Sequence, residues 1–399
     1  MEWEGARGPL ANIRRMFLVG QSKPEDVSTL AKLARMVLFI NLPPNEAMIG
    51  AKVDHSSSCF AKAAGATMKP RKARRRQAAD VAGWSQIELD SDLFMFSIED
   101  TASGGVIGTS QVRAHQGGPG NPNWSFKISE KSFRSESLGW GTTHKVGQLF
   151  ADESGPSEVG GLILTPSYRG HPGRPGRLLS FIRFHWIGLH RRLFADRIIA
   201  EMAPPVTPDG DNVFWDHFGR KFIPVKYSEA DRFCQHNRKF ISELLPREEI
   251  YLSLFPLEVQ NIIGQVSPET VPAKRLLESL GFRNRGFVDP FDTGPHLDAL
   301  TDEVPLVRET RVVRASRTAQ KAKLVTPAIV SSLNDEGEFR ATQAMVEDAG
   351  EVVRLSAEVL AALETKSGAA IGVTPLARWV SDAGADTKPA KRAGRRTRK

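Results

Sequence analysis

The residues with the clearest chemical potential lie between positions 161 and 180. A short apolar strand ends there at Pro166, and the loop behind it is rich in glycine and arginine before an apolar helix begins near Leu178. Backbone N–H groups at a helix N-terminus, with arginines beside them, bind phosphate groups well. The pattern therefore predicts a pyrophosphate-binding turn. Its candidate residues are Leu162, Arg169, Gly170, Gly173 and Gly176.

Four acidic residues are candidate ligands for a positively charged group. Glu201 follows a long helix predicted over about 177–199, where a carboxylate opposes the helix dipole, so it serves either a cationic substrate or a structural hydrogen bond. Asp289 and Asp292 lie close together and could pair with a guanidinium group or cap a turn. Glu158 precedes the strand of the pyrophosphate turn, and its role stays open between substrate binding and structure.

Histidine and cysteine give no metal-binding pattern. His185 and His190 lie five positions apart on the predicted long helix and so do not share a face, while Cys59 and Cys234 sit in unrelated contexts. We therefore expect no metal ion and no permanently bound cofactor. The lack of a disulfide framework is typical of a reducing compartment, so we expect the protein in the cytoplasm.

The net charge of +8 is concentrated in two runs. Six basic groups lie in 69–76 and seven in 388–399, so the remainder of the 399-residue chain is mildly acidic. Such runs are usually solvated loops or tails, and we favour that interpretation over the alternative, contact with nucleic acid. No apolar run approaches the roughly 18–20 residues that span a bilayer, so we expect no membrane association.

The elements that must position the candidate residues alternate between strands and helices. A helix is predicted over 23–35, and apolar strands over 93–98 and 106–112 form a hairpin. Proline and glycine bound a helix over 272–280, and short strands follow residue 300. Other predictions are a loop over 115–125, a helix turning into a strand over 214–222, a helix over 229–245, and strands over 282–288, 304–314, 323–329 and 351–355. This alternation predicts an α/β fold.

The chain is long enough for two domains and a tail. We expect residues 1–15 to be a disordered leader without a signal-peptide core. The predicted divisions that follow are 16–150 with an exposed basic insertion over 61–90, 151–300 with the pyrophosphate turn, a β-rich subdomain over 301–376, and a disordered basic tail over 377–399.

The motifs resemble those of known acyltransferases. A strand, Pro-x-Tyr-Arg, a glycine-rich turn and a helix are similar to the acyl-CoA site of GNAT-type N-acyltransferases. A longer ordered series resembles the arginine N-succinyltransferase family over roughly residues 16–315. Its segments are 157–159, 164–169, 178–184, 200–202, 214–216, 219–222, 230–231, 240–247, 262–270, 272–273, 281–282 and 288–295.

The resemblance implies both a fold and an activity. The fold would be a GNAT-like mixed sheet with flanking helices, doubled in one chain, with the small β-rich subdomain behind it. The activity would transfer a succinyl group from succinyl-CoA, a co-substrate, to the α-amine of L-arginine in arginine catabolism, or of ornithine in some relatives. The resemblance places a CoA contact at Leu162, whose backbone N–H we expect to donate to the thioester carbonyl. It also implies a homodimer or a pairing with a paralogous subunit.

One departure from the family bears directly on activity. The family carries a histidine, its general acid, where this chain has Ser267, and a hydroxyl group is a poor acid near pH 7. Three interpretations follow from the change. The chain is a working enzyme with a different acid, an acyltransferase for ornithine or another amine, or a weakly active or non-catalytic paralogue that acts with an active partner.

Overall fold

The computed structural model describes residues 16–36, 42–65, 91–234, 239–320 and 323–380, without the side chains of 231–234, 239 and 380. The predicted leader over 1–15, most of the insertion over 61–90, both basic runs and the tail beyond residue 380 lie outside these residues. None of the helices described is both long enough and apolar enough to cross a bilayer.

Fifteen strands within the described residues join into one sheet. They are β1 (Phe17–Gln21), β2 (Leu93–Asp100), β3 (Gly105–Arg113), β4 (Asn123–Ser135), β5 (Trp140–Asp152), β6 (Ser157–Leu164), β7 (Arg197–Glu201), β8 (Ile250–Tyr251), β9 (Arg283–Val288), β10 (Pro295–Leu300), β11 (Arg311–Arg317), β12 (Thr326–Leu333), β13 (Phe339–Asp348), β14 (Val352–Leu355) and β15 (Ala370–Pro375). The order across the sheet is β12-β15-β11-β14-β13-β1-β2-β3-β6-β7-β10-β9-β4-β5-β8. Among the described pairs, β6–β7 and β11–β14 are parallel and the others are antiparallel.

Helices flank this sheet, so the predicted mixed α/β class is confirmed. The described α-helices are α1 (Val27–Ala34), α2 (Glu46–Ala63), α3 (Pro175–Leu189), α4 (Val213–His217), α5 (Gly219–Phe222), α6 (Tyr227–Cys234), α7 (Lys239–Leu244), α8 (Leu257–Ile262), α9 (Val271–Ser279), α10 (Pro305–Arg308), α11 (Ala357–Ala362) and α12 (Ala377–Val380). Short 3₁₀ turns lie at Pro24–Asp26, Pro166–Tyr168, Arg191–Leu193, Leu252–Leu254 and Thr301–Glu303.

Helix α3 is the centre of the main core. Its residues from Leu178 to Ile187 are all buried, because most of them are apolar and the helix is enclosed by strands and by α10. Trp186 packs with Phe60 and Phe94 at ring-centroid separations of 4.7 and 5.0 Å. Large aromatic side chains contribute most of the buried apolar area in such a core, so α3 has a fixed position relative to the strands.

The last five strands form a ring beside this core. β12, β15, β11, β14 and β13 follow one another across the sheet, and β12 also pairs with β13, which closes the ring. His185 of α3 hydrogen-bonds to Thr374 Oγ1 through Nδ1 and to Ser331 Oγ through Nε2, at 2.6 and 2.7 Å. Burial lowers the pKa of His185 to about 3, so its imidazole is neutral. Its two hydrogen bonds join α3 to the closed ring of strands.

The predicted helix over 177–199 is wrong in its second half. α3 ends at Leu189, and His190 leaves helical geometry with φ −124° and ψ 38°. Residues 197–201 then form β7, where the pair Ile198-Ile199 suits a strand because β-branched side chains pack well on a pleated surface. Glu201 is therefore the last residue of a strand and opposes no helix dipole.

Several shorter predictions also need correction. The loop predicted over 115–125 ends early, because β4 begins at Asn123 and forms with β5 a long hairpin that we did not predict. Residues 214–222 contain α4 and α5 and no strand. The strand predicted over 304–314 begins only at Arg311, after α10, and β10 was missed. The hairpin of β2 and β3 and the helix over 272–280 are confirmed within two residues of their predicted ends. The helix over 23–35 is confirmed as the 3₁₀ turn Pro24–Asp26 followed by α1.

Candidate active site

The part of the site where the resemblance places the acyl-CoA donor lies at a point where two parallel strands diverge. β6 pairs with β7 only at its first two residues, although it continues to Leu164. On its other edge β6 stays paired with β3, through a bulge at Gly161 and Leu162. Among the described strands, the β7-facing edge at Leu162 therefore has no partner. An extended group could hydrogen-bond to the backbone there.

Gly161 is required by the geometry of this bulge. Its φ of +57° is a backbone conformation that residues with a Cβ adopt only at a cost in free energy. A Cβ at this position would also lie 2.9 Å from Gln111 Cγ. The glycine thus permits both the turn of the backbone and the close approach of β3.

We call residues 165–174, which connect β6 to α3, the donor loop. Arg169 and Gly170 are exposed, and Gly170 has a φ of +73°. Gly173 lies against Phe17, since a Cβ would come within 2.7 Å of the ring. Arg174 precedes α3 in a left-handed conformation, with φ 48°. The loop therefore presents its polar side to solvent in front of the N-terminus of α3.

The first turn of α3 contains the candidate Gly176 and, next to it, Arg177. Gly176 packs on Leu164 of β6, where a Cβ would stand 3.2 Å from Leu164 Cδ2. Arg177 points away from the donor loop, because its Nη1 donates to the carbonyl of Trp379 at 2.8 Å. Arg169 stays a predicted phosphate ligand, and its exposed side chain leaves it accessible to an anion.

Ser267 lies in the turn before α9, next to the end of β7. Its backbone N–H donates to the carbonyl of Ala203 at 2.9 Å, and its Oγ shares a hydrogen bond with Thr270 Oγ1 at 2.7 Å. Glu269 of the same turn forms an exposed ion pair with Arg169 at 3.3 Å. The turn thereby joins the donor loop to the residues that follow β7.

Glu201 and His296 face each other across β7 and β10. The two residues are cross-strand partners in the antiparallel register, so their side chains share one face of the sheet. His296 Nε2 lies 3.9 Å from Glu201 Oε1, and Asn123 Nδ2 donates to the same oxygen at 3.1 Å. The side chains of Glu201 and His296 are only 18% and 8% exposed. A carboxylate and an imidazole are therefore held together away from bulk water.

Asp289 and Asp292 lie in the turn between β9 and β10, where both accept backbone hydrogen bonds. Asp289 Oδ1 accepts from the N–H groups of Phe291 and Asp292, at 2.7 and 3.2 Å. Asp292 accepts from the N–H of Gly294 at 2.8 Å and from the hydroxyl of Tyr227 at 3.0 Å. Turn capping is therefore present at both residues, and it leaves substrate binding as an additional role to be tested.

Burial and neighbouring negative charge affect the ionisation of Asp289. Loss of hydration, followed by the charges of Asp292 and Glu201, raises the pKa of Asp289 to about 7. Such a carboxyl group changes its charge near neutral pH. We call Glu201, Asp289, Asp292 and His296 the acidic pocket.

The acidic pocket can hold a small cation. Glu201, Asp289 and His296 each offer one ligand atom, and these atoms all lie within 4.8 Å of one another. Two carboxylates and an imidazole at this spacing suit either a metal ion or a protonated nitrogen of an organic substrate. The sequence alone gave no such set, because its three members come from β7, β10 and the turn before β10.

Glu158 stands apart from the pocket in its contacts. It is 2% exposed, and its Oε2 lies 3.9 Å from Nε of the buried Arg113. Arg113 also donates to Gln116 at 2.9 Å. These contacts support a structural role, in which Glu158 balances a buried arginine at the start of β6.

Sequence reasoning missed His296 and Asn123. A signal for His296 was present, since His296 and Asp298 alternate with Leu297 and Ala299 at the period of a strand. The pairing of β10 with β7 was not visible, because cross-strand partners about a hundred residues apart leave no local pattern. Asn123 lies in a segment whose glycine, proline and asparagine residues predict a loop.

Comparison with known proteins gives consistent results. The family model for the arginine N-succinyltransferase beta subunit matches residues 17–306. Relatives named arginine N-succinyltransferase from Escherichia coli (strain 55989 / EAEC) and Shigella flexneri are each 29% identical over 357 residues. In both cases the match covers 88% of this chain and 96% of the relative.

A solved structure has a similar fold. It is described as arginine/ornithine succinyltransferase subunit AI from Pseudomonas aeruginosa. The TM-score is 0.72 at 24% sequence identity, over 91% of this chain and 99% of that one. At this identity the likeness establishes the shared fold.

Proposed function

The chain belongs to the arginine N-succinyltransferase family, and we propose that it transfers a succinyl group from succinyl-CoA to the α-amine of L-arginine. The family match over 17–306 carries this proposal. The acidic pocket supports it independently, because L-arginine brings two positively charged nitrogen groups and the pocket offers carboxylates to bind one of them. The products would be N2-succinylarginine and CoA, the first step of an arginine-degrading route.

The two substrates would meet between the donor loop and the acidic pocket. We place the pyrophosphate of succinyl-CoA at Arg169, Gly170, Gly173 and the N-terminus of α3, where the helix dipole and the charge of Arg169 favour an anion. The thioester carbonyl would accept a hydrogen bond from the N–H of Leu162, at the edge that β7 leaves open. No permanently bound cofactor is needed, since succinyl-CoA is consumed in each turnover.

Direct transfer requires no covalent intermediate on the protein. The α-ammonium group loses a proton, the free amine attacks the thioester carbon, and the C–S bond breaks with departure of the CoA thiolate. Positioning and stabilisation of the oxyanion would supply most of the acceleration. Ser267, at the family's histidine position, could relay a proton but its hydroxyl is a weak acid.

Purified full-length protein tests the proposal directly. Succinyl-CoA and L-arginine are mixed with it, and release of free thiol is followed together with the mass of the product. We expect thiol release that needs both substrates, with ornithine, lysine and acetyl-CoA slower. No thiol release with any of these amines and donors would refute an acyltransferase function.

The exchange of histidine for Ser267 favours a second candidate. In it the chain has little activity alone and works with an active paralogous subunit, or accepts ornithine or another amine better than arginine. The similar solved structure is of subunit AI of an arginine/ornithine succinyltransferase, which agrees with this candidate. Size-exclusion chromatography with light scattering would show whether the chain forms a homodimer, and a homodimer with full activity would exclude the need for a partner.

Two coarser features accompany the proposal. We retain the division into related halves over 16–150 and 151–300, with a β-rich subdomain over 301–376. We also retain a cytoplasmic location, because the two cysteines indicate a reducing compartment.

A further inference from the structure

His296 brings a nitrogen atom into the acidic pocket that makes no hydrogen bond there. Its side chain is 8% exposed, and its Nε2 is buried without a hydrogen-bond partner among the described residues. Glu201 Oε1, at 3.9 Å, is too far away for a hydrogen bond. A buried polar atom without a partner costs free energy, so this nitrogen indicates a ligand that the protein chain does not itself supply.

The two aspartates of the pocket differ in what they leave available to a ligand. Both backbone hydrogen bonds to Asp289 go to its Oδ1, and its Oδ2 accepts none from the described residues. Asp292 uses both of its oxygens, one for a backbone N–H and the other for a tyrosine hydroxyl. Asp289 therefore offers a carboxylate oxygen to a ligand, whereas the oxygens of Asp292 are already engaged.

Glu201, Asp289 and His296 bring three ligand atoms close together. These atoms all lie within 4.8 Å of one another, so one small ion placed among them contacts all three. Asn123 Nδ2 donates to Glu201 Oε1 at 3.1 Å, and outer hydrogen bonds of this kind orient the ligands of metal sites. Glu201 and Asp289 are only partly buried, so an ion reaches the imidazole from solvent on the side of the two carboxylates.

We propose that the acidic pocket binds a divalent transition-metal ion through Glu201, Asp289 and His296, and that this ion excludes the cationic nitrogen of L-arginine. The binding goes beyond the proposed function, whereas the exclusion rests on it. Zn²⁺ takes imidazole and carboxylate ligands in four-coordinate sites, where water fills a position that the protein leaves open. Mg²⁺ and Ca²⁺ prefer oxygen ligands, so the imidazole favours Zn²⁺ over both. The sequence predicts no metal ion only because the three ligands are far apart along the chain.

The electrostatics of the pocket agree with a doubly charged ion. Burial raises the pKa of Asp289, and the negative charges of Asp292 and Glu201 raise it further, so these carboxylates repel one another. An ion with two positive charges among them offsets this repulsion. The same ion repels an ammonium or guanidinium group that approaches the pocket. Bound Zn²⁺ should therefore oppose the binding of L-arginine.

Zinc binding is measured on the purified full-length protein, without a histidine tag and without substrates. The protein is dialysed against a chelator, the chelator is removed, and Zn²⁺ is titrated in by calorimetry, with Mg²⁺ in a parallel titration. His296→Gln and Asp289→Asn each remove one ligand, and urea unfolding shows whether the variants are folded. His144→Gln is the matched control, because His144 belongs to the β4–β5 hairpin and its ring nitrogens contact the hydroxyl groups of Ser253 and Thr142.

We expect one Zn²⁺ per chain in the wild type and in His144→Gln, with much weaker binding of Mg²⁺. His296→Gln and Asp289→Asn should each weaken Zn²⁺ binding by at least about 10-fold, because loss of a ligand costs no less than loss of an outer partner. Visible absorption of bound Co²⁺ is a second measurement, expected in the wild type and lost in His296→Gln. The inference is wrong if the wild type binds no Zn²⁺, if it binds Mg²⁺ equally well, or if the folded ligand variants bind Zn²⁺ as tightly as the wild type.

Kinetics test the exclusion of L-arginine separately, with the product followed by mass because Zn²⁺ binds thiols. At a free Zn²⁺ concentration about ten times its dissociation constant, competition should raise KM for L-arginine roughly 10-fold and leave kcat unchanged. His144→Gln should respond like the wild type, and His296→Gln much less. An unchanged KM for L-arginine in a zinc-loaded, active wild type would overturn the exclusion. Zinc binding by a wild type that transfers no succinyl group would refute the proposed function and the exclusion, and would leave the ion site established.

Discussion

The donor loop is one continuous segment of ten residues, whereas the acidic pocket takes its residues from β7, from β10 and from the turn before β10. The loop is largely exposed, and an ion pair between Arg169 and Glu269 joins side chains that are 45% and 68% exposed. The pocket is mostly buried, and three of its members, Glu201, Asp289 and Asp292, accept hydrogen bonds at 2.7–3.2 Å. Charge should therefore matter more in the pocket than in the loop.

This difference reflects the two ligands that we propose. A CoA diphosphate carries several charges and can remain partly hydrated, so exposed N–H groups and one arginine suffice to orient it. An amine that must become a nucleophile has to lose a proton, and a buried site controls that step better than a hydrated one. The predictions below test whether the contrast between loop and pocket holds.

The largest effect is expected from Glu201→Gln. This change removes a carboxylate that accepts from Asn123 and faces His296, and interactions with a charged group of this kind contribute about 1.5–3 kcal/mol. We expect kcat/KM for arginine to fall roughly 10- to 100-fold, with KM for succinyl-CoA unchanged, as measured by thiol release. Glu269→Gln is the control, because it removes an exposed carboxylate beside the loop. Equal losses of kcat/KM in both variants would contradict the expected difference between the acidic pocket and the donor loop.

The bulge in β6 should be the next most sensitive position. Gly161→Ala forces a Cβ into a φ of +57° and against Gln111, so we expect the free energy of unfolding to fall by about 1–2 kcal/mol and KM for succinyl-CoA to rise. Gly104→Ala is a matched control, since its φ is +67° but no atom lies within 4 Å of the added Cβ. Urea unfolding should show the smaller loss in the control. An unchanged KM for succinyl-CoA in Gly161→Ala would show that the bulge does not affect binding of the donor.

Charge reversal in the donor loop should have a moderate effect. Arg169→Glu is expected to raise KM for succinyl-CoA about 3- to 5-fold, because an exposed ion pair contributes roughly 1 kcal/mol or less. The increase should shrink as salt is added, since salt screens exposed charges. Arg192→Glu reverses an exposed charge outside the loop and serves as control. A change in KM for arginine, with KM for succinyl-CoA unchanged, would show that Arg169 acts in arginine binding and not in donor binding.

The smallest effect concerns stability and pH. The pKa of Asp289 is about 7 in the folded protein and about 4 in an unfolded chain, so the folded state binds the extra proton between these values. The stability that this carboxyl contributes is therefore complete below about pH 4 and is lost as pH rises through about 7. Asp289→Asn does not titrate, so we expect its stability relative to the wild type to increase between pH 5 and 8. Urea unfolding at pH 5 and at pH 8 measures the free energy of unfolding of the variant and of the wild type. The same difference between them at both pH values would refute the prediction.

The loop and the pocket also differ in how well the sequence predicted them. The donor loop was located because its glycines and arginine are contiguous and lie between an apolar strand and an apolar helix. Glu201 was predicted as a site residue, but at the end of a helix instead of the end of strand β7. The reason is that the apolar residues of α3 and of β7 are separated only by the short segment 190–196. His296 was missed because its importance comes from the register of β10 on β7, and long-range register has no local signature.

Helix α3 depends on the far end of the chain. Its His185 bonds to Ser331 and Thr374, and its Arg177 bonds to the carbonyl of Trp379, contacts that span 146, 189 and 202 positions. During synthesis the ribosome must therefore deliver the residues up to Trp379 before the helix behind the donor loop reaches its final packing. A nascent chain that stalls before residue 379 would carry every residue of the proposed catalytic centre and still lack the support that orients it.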